Sequence, residues 1–524
     1  MEIESLVNTK QRLLIITFII LFSMSCLILL SRMLHSGLWY DESIEYFYSK
    51  FLNGAVPGGL GTTNMYERIT STLQPPLYNW IMYIWLSMFD NEFGFRLASI
   101  LITILGGIGF AKALLVLVEP WWSIIGTIFY MFSYQIMYYA LECSEYCLVL
   151  CMLSWTMYFF VRVLERTKTS NLLGFFIFAC LSAYSQYGAV FLLVPMYLII
   201  FISVIRKDRV KGRLFIFLSC LSACLAMSLI LSYIIPQIHN NATEEVTHQI
   251  ILAHGNIVED LIESLKWTFV FNFALSERVS LVVLCVIVIG LFFLLLNRDT
   301  DTRSKCGIVY LTIMSWVLYY MAVACSFYAY NEWSGLLGTQ NIGRRYGIIL
   351  SSIWVYAIIL VLQSFSKYNI KAKYLNMYRS IFFCFTAILT IFYCSNSLRT
   401  FYNMGVKDDI REVTNLWYVS DLNSSITLVH QWEDAGFQFY LRHDSRYEEG
   451  YQDNILTTGI WLRTAKTEEV NQKLVEMGIF DYNDFYYIGT KSFSEEFIIN
   501  AIMDKGYKYN YLYNGISNLM HFYR

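Results

Sequence analysis

The sequence predicts an all-α polytopic membrane domain of about eleven spanning helices, followed by a small α/β soluble domain. Three observations carry this reading. Only 15% of the 524 residues are charged, against 56% hydrophobic and 17% aromatic, whereas soluble domains carry roughly a quarter of charged residues. Apolar runs of about 18 residues or longer recur before residue 400, the length that crosses a hydrocarbon core of roughly 30 Å. After residue 400 the apolar runs stop and alternating strand and helix patterns begin. The mean hydropathy of +0.47 agrees with the first two. A net charge of −2 excludes the electrostatic footprint of a nucleic-acid binder.

The expected spans lie at roughly 13–34, 96–118, 121–141, 146–163, 171–185, 187–205, 213–236, 279–297, 307–330, 346–364 and 379–397. The first follows Lys10 and Arg12, as a signal peptide would. Its length, the lack of a small-x-small cleavage pattern and the spans that follow make it an uncleaved first helix. Basic connectors run from Arg206 to Arg213, Arg162 to Lys168, Arg298 to Lys305 and Lys367 to Arg379. They share the side of Lys10 and Arg12 only if Pro75–Phe89, with Tyr78, Trp80, Tyr83 and Trp85, lies in the interface rather than crossing. The N-terminus is then cytoplasmic. The opposite face holds residues 35–95, the turn at 141–146, the acidic loop 237–278, the loop 331–345 and everything after 398.

This gives a membrane domain over 1–398, with an outward first loop at 35–95, and an extracytoplasmic domain over 399–524. In the tail, Ser425–Trp432, Asp484–Thr490 and Tyr507–Tyr513 read as strands, and Asp408–Val419, Ala465–Met477 and Ser494–Lys505 as helices. The twelve cysteines show no Cys-x-x-Cys pair and imply no disulfide framework. Cys143, Cys147 and Cys151 share one helix face, where small, soft side chains suit a helix–helix contact better than a metal ladder. His239, His248 and His254 share one loop without a zinc-like spacing.

Chemistry-bearing residues gather on the outward face. Asp41 and Glu42 directly follow the first span, where two acids can meet a substrate at the lipid surface; a helix N-cap at Asp41 is the competing reading. Gln74-Pro75-Pro76-Leu77-Tyr78 precedes the interfacial segment, and Pro75 and Pro76 suit a helix start. Arg96 opens the second span and serves at least as an anchor. Glu142, Glu145 and Tyr146 lie at the second outward turn, where acids near hydrocarbon usually face a cavity or a partner; a water-exposed turn is the alternative. Arg344, Arg345 and Tyr346 open the tenth span on the side where basic residues are disfavoured. A bound anion such as a lipid phosphate would account for them, as would a headgroup anchor.

In this order, the Asp41-Glu42 pair, Pro75–Tyr78, Arg96–Ser99, the acidic turn Glu142–Tyr146, Tyr184–Tyr187 and Arg345-Tyr346 resemble the GT-C class of membrane glycosyltransferases that use polyprenyl-phosphate sugars. The resemblance is to the branch of the protein mannosyltransferases and the aminoarabinose transferase of lipid A, over residues 13–365. It departs from the family pattern at Gln74 and Gln186, where His is common, and at Ser144, where Arg is common. The resemblance implies a GT-C-like fold and an inverting transfer from a polyprenyl-phosphate-linked donor to an extracytoplasmic hydroxyl of a protein, lipid or cell-envelope glycan. Asp41 is the implied general base. Glu42 and Glu142 complete the catalytic acids, and Arg344, Arg345, Tyr346, Tyr146 and Gln74 bind substrate. No cofactor is required, and a divalent metal is compatible with the chemistry but not demanded by it.

Two other classes compete. A flippase for polyprenyl-linked glycans would distribute charge through mid-membrane helices, whereas these acids and arginines cluster at one face. A receptor would leave Asp41, Glu142 and Arg345 without a shared task. An O-antigen-type polymerase, also a glycosyltransferase, lacks the Asp-Glu pair after its first helix.

Overall fold

The computed structural model describes residues 2–51, 65–71, 74–205, 208–241, 257–296, 303–324, 347–366, 372–458, 467–491 and 495–524. They pack into two units, one comprising Met1–Arg32, Ile69–Tyr78 and Leu97–Met404, the other Met33–Arg68, Asn79–Arg96 and Gly405–Arg524. The second unit therefore draws the first loop and the tail into one body.

Each expected span has a helical counterpart among the described residues, but the eleven are not equivalent. Nine helices are long and apolar enough to cross a membrane: Gln11–Arg32, Glu92–Leu117, Glu145–Glu165, Tyr187–Ile205, Arg209–His239, Glu277–Leu294, Ser304–Ala322, Ile348–Ser366 and Ser380–Tyr402. The expected span 121–141 is a broken pair, Pro120–Met131 and Tyr134–Leu141, bent by 52°. Ser133 at the break is extended, and its hydroxyl donates to the Asn272 carbonyl at 2.7 Å. Irregular backbone inside a helical bundle persists only where polar groups are satisfied in this way. The fifth expected segment, Thr169–Ser185, has 17 residues, a rise of about 26 Å at the short end of spanning lengths. Among the described residues, nine helices thus meet the length and composition of a span outright and a tenth does as the broken pair, with Thr169–Ser185 as a shorter apolar helix beside them. The chain is an integral membrane protein. Leu77–Leu86, the expected interfacial segment, is a helix of 10 residues, too short to cross.

Small residues set the closest helix approach. A Cβ on Gly106 would lie 2.9 Å from the Cys151 Cα, and one on Gly109 would lie 3.0 Å from the Trp155 ring. Cys143, Cys147 and Cys151 are buried, and Cys151 sits at this crossing. Nearby, Phe110 stacks on Tyr130 at 4.1 Å and meets Tyr356 at 4.4 Å.

In the second unit, helix α1 (Tyr40–Lys50) follows the first span, and the tail contributes α2 (Ile410–Val419), α3 (Gln431–His443), α4 (Thr467–Glu476) and α5 (Glu495–Met503). Strands β1 (Thr427–Val429), β2 (Ile455–Thr457), β3 (Asp484–Thr490), β4 (Lys508–Asn514) and β5 (Ser517–Tyr523) form one sheet in the order β2-β1-β3-β5-β4. The first three are parallel and β5 runs antiparallel to both neighbours. Side-chain alternation along the strands sends Leu428, Phe485, Tyr487, Met520 and Phe522 into a core with Val470, Leu474, Ile498 and Ile502. Val429, Ile488 and Leu519 face Ile410, Val413, Trp417, Phe437 and Leu441. Helices α4 and α5 therefore cover one face of the sheet, and α2 and α3 the other, the expected small α/β domain.

The tail differs from the sequence reading in one strand's end and in three elements that were not expected, α3, β2 and β5. The strand expected to reach Trp432 stops at Val429, where α3 takes over with the His430 ring accepting the Trp432 N–H at 3.2 Å. Strand β5 was not expected because Asn518, Met520 and His521 carry little strand preference. Its pairing with β3 over seven residues overrides that local weakness.

Replacing Gly106 with Ala should push the two helices apart and lower the thermal unfolding midpoint of the detergent-solubilised protein. Overpacking of this kind costs about 1–3 kcal/mol. An unchanged midpoint would show that the crossing yields without cost.

Candidate functional site

The first loop is tied down by two arginines. Arg96 is 4% exposed and Glu42 fully buried. The guanidinium grips the carboxylate with both prongs, Nη1 to Oε1 at 3.1 Å and Nη2 to Oε2 at 3.2 Å. Its Nη2 also donates to the Ser36 and Gly37 carbonyls, and its Nε to Glu92 at 3.2 Å. Arg411 meets the same Glu92 at 2.6 Å and donates to the Leu34 and Ser36 carbonyls. From the other direction, Ser36 Oγ accepts the Lys407 and Asp408 amides, and the Gly37 N–H donates to the Asp408 carbonyl at 3.0 Å. Each buried charge thus has an opposite partner and hydrogen bonds, the condition for keeping charge out of water.

This network decides what Asp41 and Glu42 do locally. Glu42 reaches back to the Trp39 amide at 3.3 Å, so it both starts α1 and pairs with Arg96. Asp41 occupies the first helical turn and is half-buried. The preceding Tyr40 ring packs 4.5 Å from Trp432 at the start of α3. Two adjacent acids therefore have different surroundings, one enclosed by arginine and one reaching the surface.

A second acidic group lies in the same unit. Asp409 accepts the Tyr513 hydroxyl and the Ile516 and Ser517 amides at 2.6–2.9 Å. Ser517 Oγ lies 3.1 Å from Asp408 and 3.2 Å from Glu433. One hydroxyl hydrogen can serve only one carboxylate, so both contacts require a proton on one of the acids. Burial, with repulsion from Asp409 and Glu42, pushes the Asp408 carboxyl up to about 7. Burial and Asp408 likewise push Glu433 well above the usual carboxylate range, and burial pushes Asp434 up to about 7.

The other unit holds the remaining motifs. Glu142, Glu145 and Tyr146 are all buried, so the acidic turn is not a water-exposed one. Glu142 ends the helix Tyr134–Leu141, its carbonyl accepts the Ser144 amide at 3.0 Å, and the Tyr146 ring packs 4.7 Å from Tyr139. Gln74 is half-buried, and its carbonyl accepts the Gln237 side-chain amide at 2.7 Å. The same amide holds the Ile69 carbonyl at 2.9 Å, and Gln237 Oε1 accepts the Tyr187 hydroxyl at 2.7 Å. Tyr187, from the tyrosine-rich motif, thus fixes the approach to Pro75 and Pro76 through Gln237. Arg344, Arg345, Tyr346, His248 and His254 lie outside the described residues. Among the described residues, no group of three His, Cys, Asp or Glu side chains is arranged to hold a metal ion.

Sequence reasoning missed Gln237, Arg411 and the Asp408–Glu433 pair. The only signal for Gln237 was an amide at the end of an apolar run, costly to bury unless bonded. Arg96 had been seen as a helix anchor, and its partner Glu42 lies 54 positions away, beyond any local pattern.

Residues 73–233 match the family profile of the dolichyl-phosphate-mannose-protein mannosyltransferases. No curated protein matches the sequence significantly. Among solved structures, the apo state of ArnT from Cupriavidus metallidurans aligns over 96% of this chain and 97% of its own, with a TM-score of 0.50 and 12% identity. The fold is that of the GT-C membrane glycosyltransferases. ArnT bound to undecaprenyl phosphate aligns over the same shares at TM-score 0.40 and 11% identity. The apo oligosaccharyltransferase of Archaeoglobus fulgidus aligns at 0.49 and 9% identity, over 90% of this chain and 69% of its own. The profile takes in the Pro-Pro segment, the Arg96 helix, the acidic turn and Tyr187, so the GT-C motifs read from the sequence fall largely within it.

Two outcomes follow from this geometry. Arg96→Ala takes the two-pronged guanidinium partner from buried Glu42 and should destabilise the fold by about 3–5 kcal/mol, seen as a lowered unfolding midpoint. A normal midpoint would mean that water replaces the guanidinium. The acids between α2 and α3 carry raised values in the folded state, so their contribution is fully present below the unfolded value of about 4. It is lost as pH rises towards the folded value of about 7 for Asp408. Thermal stability should therefore decline across that window, and Glu433→Gln should flatten the decline.

Proposed function

We propose that the protein is an inverting glycosyltransferase that moves a sugar from a polyprenyl-phosphate donor to an extracytoplasmic acceptor hydroxyl. The observation that carries this reading is the separation of the two acids after the first span. Glu42 is enclosed by Arg96, while Asp41 stands at the start of α1 with part of its surface open to substrate. The GT-C fold and the mannosyltransferase profile support the donor class. Under this reading Asp41 is the general base and Glu42 a positioning residue that holds the loop bearing it.

The chemistry needs little more. As the acceptor oxygen forms its bond to the anomeric carbon, Asp41 takes the hydroxyl proton. A carboxylate, far weaker as a base than an alkoxide, does this only as attack develops. The bond from the anomeric carbon to the phosphate oxygen breaks on the opposite side, and the electron pair leaves with the polyprenyl phosphate, already a stabilised anion. Arg344 and Arg345 neutralise that phosphate, with Tyr346 beside them. Glu142, Tyr146 and Gln74 steer the sugar and the acceptor. No step is routed through a metal. The basic connectors support an N-terminus in the cytoplasm and a tail domain outside.

Asp41→Asn should abolish transfer from polyprenyl-phosphate sugars of a membrane extract while donor binding persists; near-normal turnover would remove Asp41 from the base role. Single cysteines at Ser424 and Lys211, in a background freed of native cysteines, report the orientation. An impermeant thiol reagent should label the first in intact cells and spare the second, and the reverse pattern would overturn the site's placement. Arg345→Ala should slow transfer roughly 30- to 1,000-fold and weaken donor binding, whereas a mere headgroup anchor leaves both unchanged.

A further inference from the structure

A cavity of about 270 Å³ opens inside the second unit, where the C-terminal ends of α1 and α3 meet the turn at Asp90. None of the motifs assigned above lines it. Its walls are aromatic: Phe47 and Phe51 from the end of α1, Phe439 from α3 and Tyr447 beyond it. Phe47 and Phe51 lie parallel at 6.0 Å, and Tyr46 stands edge-on to Phe439 at 4.7 Å. The polar groups converge between these rings. Asp90 takes the Tyr46 hydroxyl at 2.6 Å and Lys50 at 2.6 Å, with His443 Nε2 at 3.6 Å. Burial alone would raise the Asp90 carboxyl, but hydrogen bonds from His443, Lys50 and Tyr46 together hold it below the usual carboxylate range.

Cations at two helix C-termini complement the helix dipoles, which accounts for where Lys50, Arg442 and His443 stand in sequence. It does not account for the space between them or for the state of Arg442. Arg442 lies 5.5 Å over the Tyr447 ring, and its buried Nε has no hydrogen-bond partner among the described residues. Among the described residues, Asp90 is the one acid lining the cavity, and it is already engaged by Lys50. The cavity therefore offers a surplus positive charge, flat apolar walls and a carboxylate edge that accepts hydroxyl hydrogens. Its volume is at the small end for ligand sites, which run roughly 300–1,000 Å³, and matches a single ring-sized group.

We propose that this cavity binds one anionic sugar residue, a hexose bearing a phosphate or a carboxylate, and so recognises the acceptor at a point separate from Asp41. The apolar C–H face of the ring lies against the aromatic walls, its hydroxyls donate to Asp90, and its anion pairs with Arg442. The choice of a sugar over another flat anion rests on the glycosyl-transfer reading; the site itself does not.

The test is binding, read by calorimetry and saturation-transfer NMR on the full chain in detergent, with glucose 6-phosphate and glucuronate as probes. Both should bind saturably, and glucose and inorganic phosphate at least about tenfold more weakly. Arg442→Ala should weaken both anionic sugars by roughly ten- to a hundredfold, the value of a charge-assisted hydrogen bond. Arg442→Lys, which keeps the charge and spares the fold, should fall between, and Phe51→Ala should weaken the sugar probes without affecting inorganic phosphate. Asp41→Asn, inactive in transfer on the reading above, should bind both probes fully, which separates this site from the catalytic proposal. Absence of saturable binding by either anionic sugar would overturn the proposal. So would an unchanged affinity in Arg442→Ala, or inorganic phosphate binding as tightly as the sugar phosphate.

Discussion

The second unit depends on one buried ion pair. Arg96 opens a long helix, Glu42 sits in the first turn of another, and the guanidinium between them also bonds the Ser36 and Gly37 carbonyls. Charges this deep are tolerated only with opposite charge and hydrogen bonds beside them, and removing either side is strongly destabilising. The pair therefore sets the path of the chain from Leu34 to Lys50 more firmly than any apolar contact could, because its geometry is directional. Arg411 extends the same logic to the tail by sharing Glu92 with Arg96.

That constraint explains why neighbouring acids differ. In the sequence, Asp41 and Glu42 are equivalent candidates, and nothing local separates them. In the folded chain, Glu42 belongs to the scaffold and Asp41 to the surface of α1. Glu142 shows the converse. Its sequence position reads as a turn open to water, yet it is buried where a broken helix pair ends.

Much of the fold was legible because the membrane imposes a length and a composition that a sequence cannot disguise. The apolar runs, the short helix after Pro75 and Pro76 and the α/β character of the tail all follow from those rules. What escaped was set by long-range pairing. Helix α3 was hidden by Gly436 and by its strand-favouring aromatics. Its acids Glu433 and Asp434 in the first turn and its bases Arg442 and His443 in the last were a dipole signature that could have revealed it. Strand β5 has no local signature and exists because β3 and β4 flank it. Of the candidate site, the residue types were readable, but their division into enclosed and accessible acids was not.

The sheet order carries a consequence for how this chain is made. Strand β5 is the latest in sequence, yet it lies in the interior of the sheet, hydrogen-bonded to β3 on one side and β4 on the other. Until residues 517–523 have been synthesised, β3 and β4 have no common partner, and Asp409 lacks the amides of Ile516 and Ser517. The segment from Met33 to Lys50, translated hundreds of residues earlier, must wait for Arg411 and the Asp408 backbone before its own contacts close. During translation this polar loop is therefore held by the segment 79–96, through Arg96 on Glu42, Asp90 on Tyr46 and Lys50, and Asn79 on Glu45, while spans continue to be inserted. A ribosome stalled before the last strand would leave the spans bearing an unfinished domain, a natural substrate for quality-control proteases.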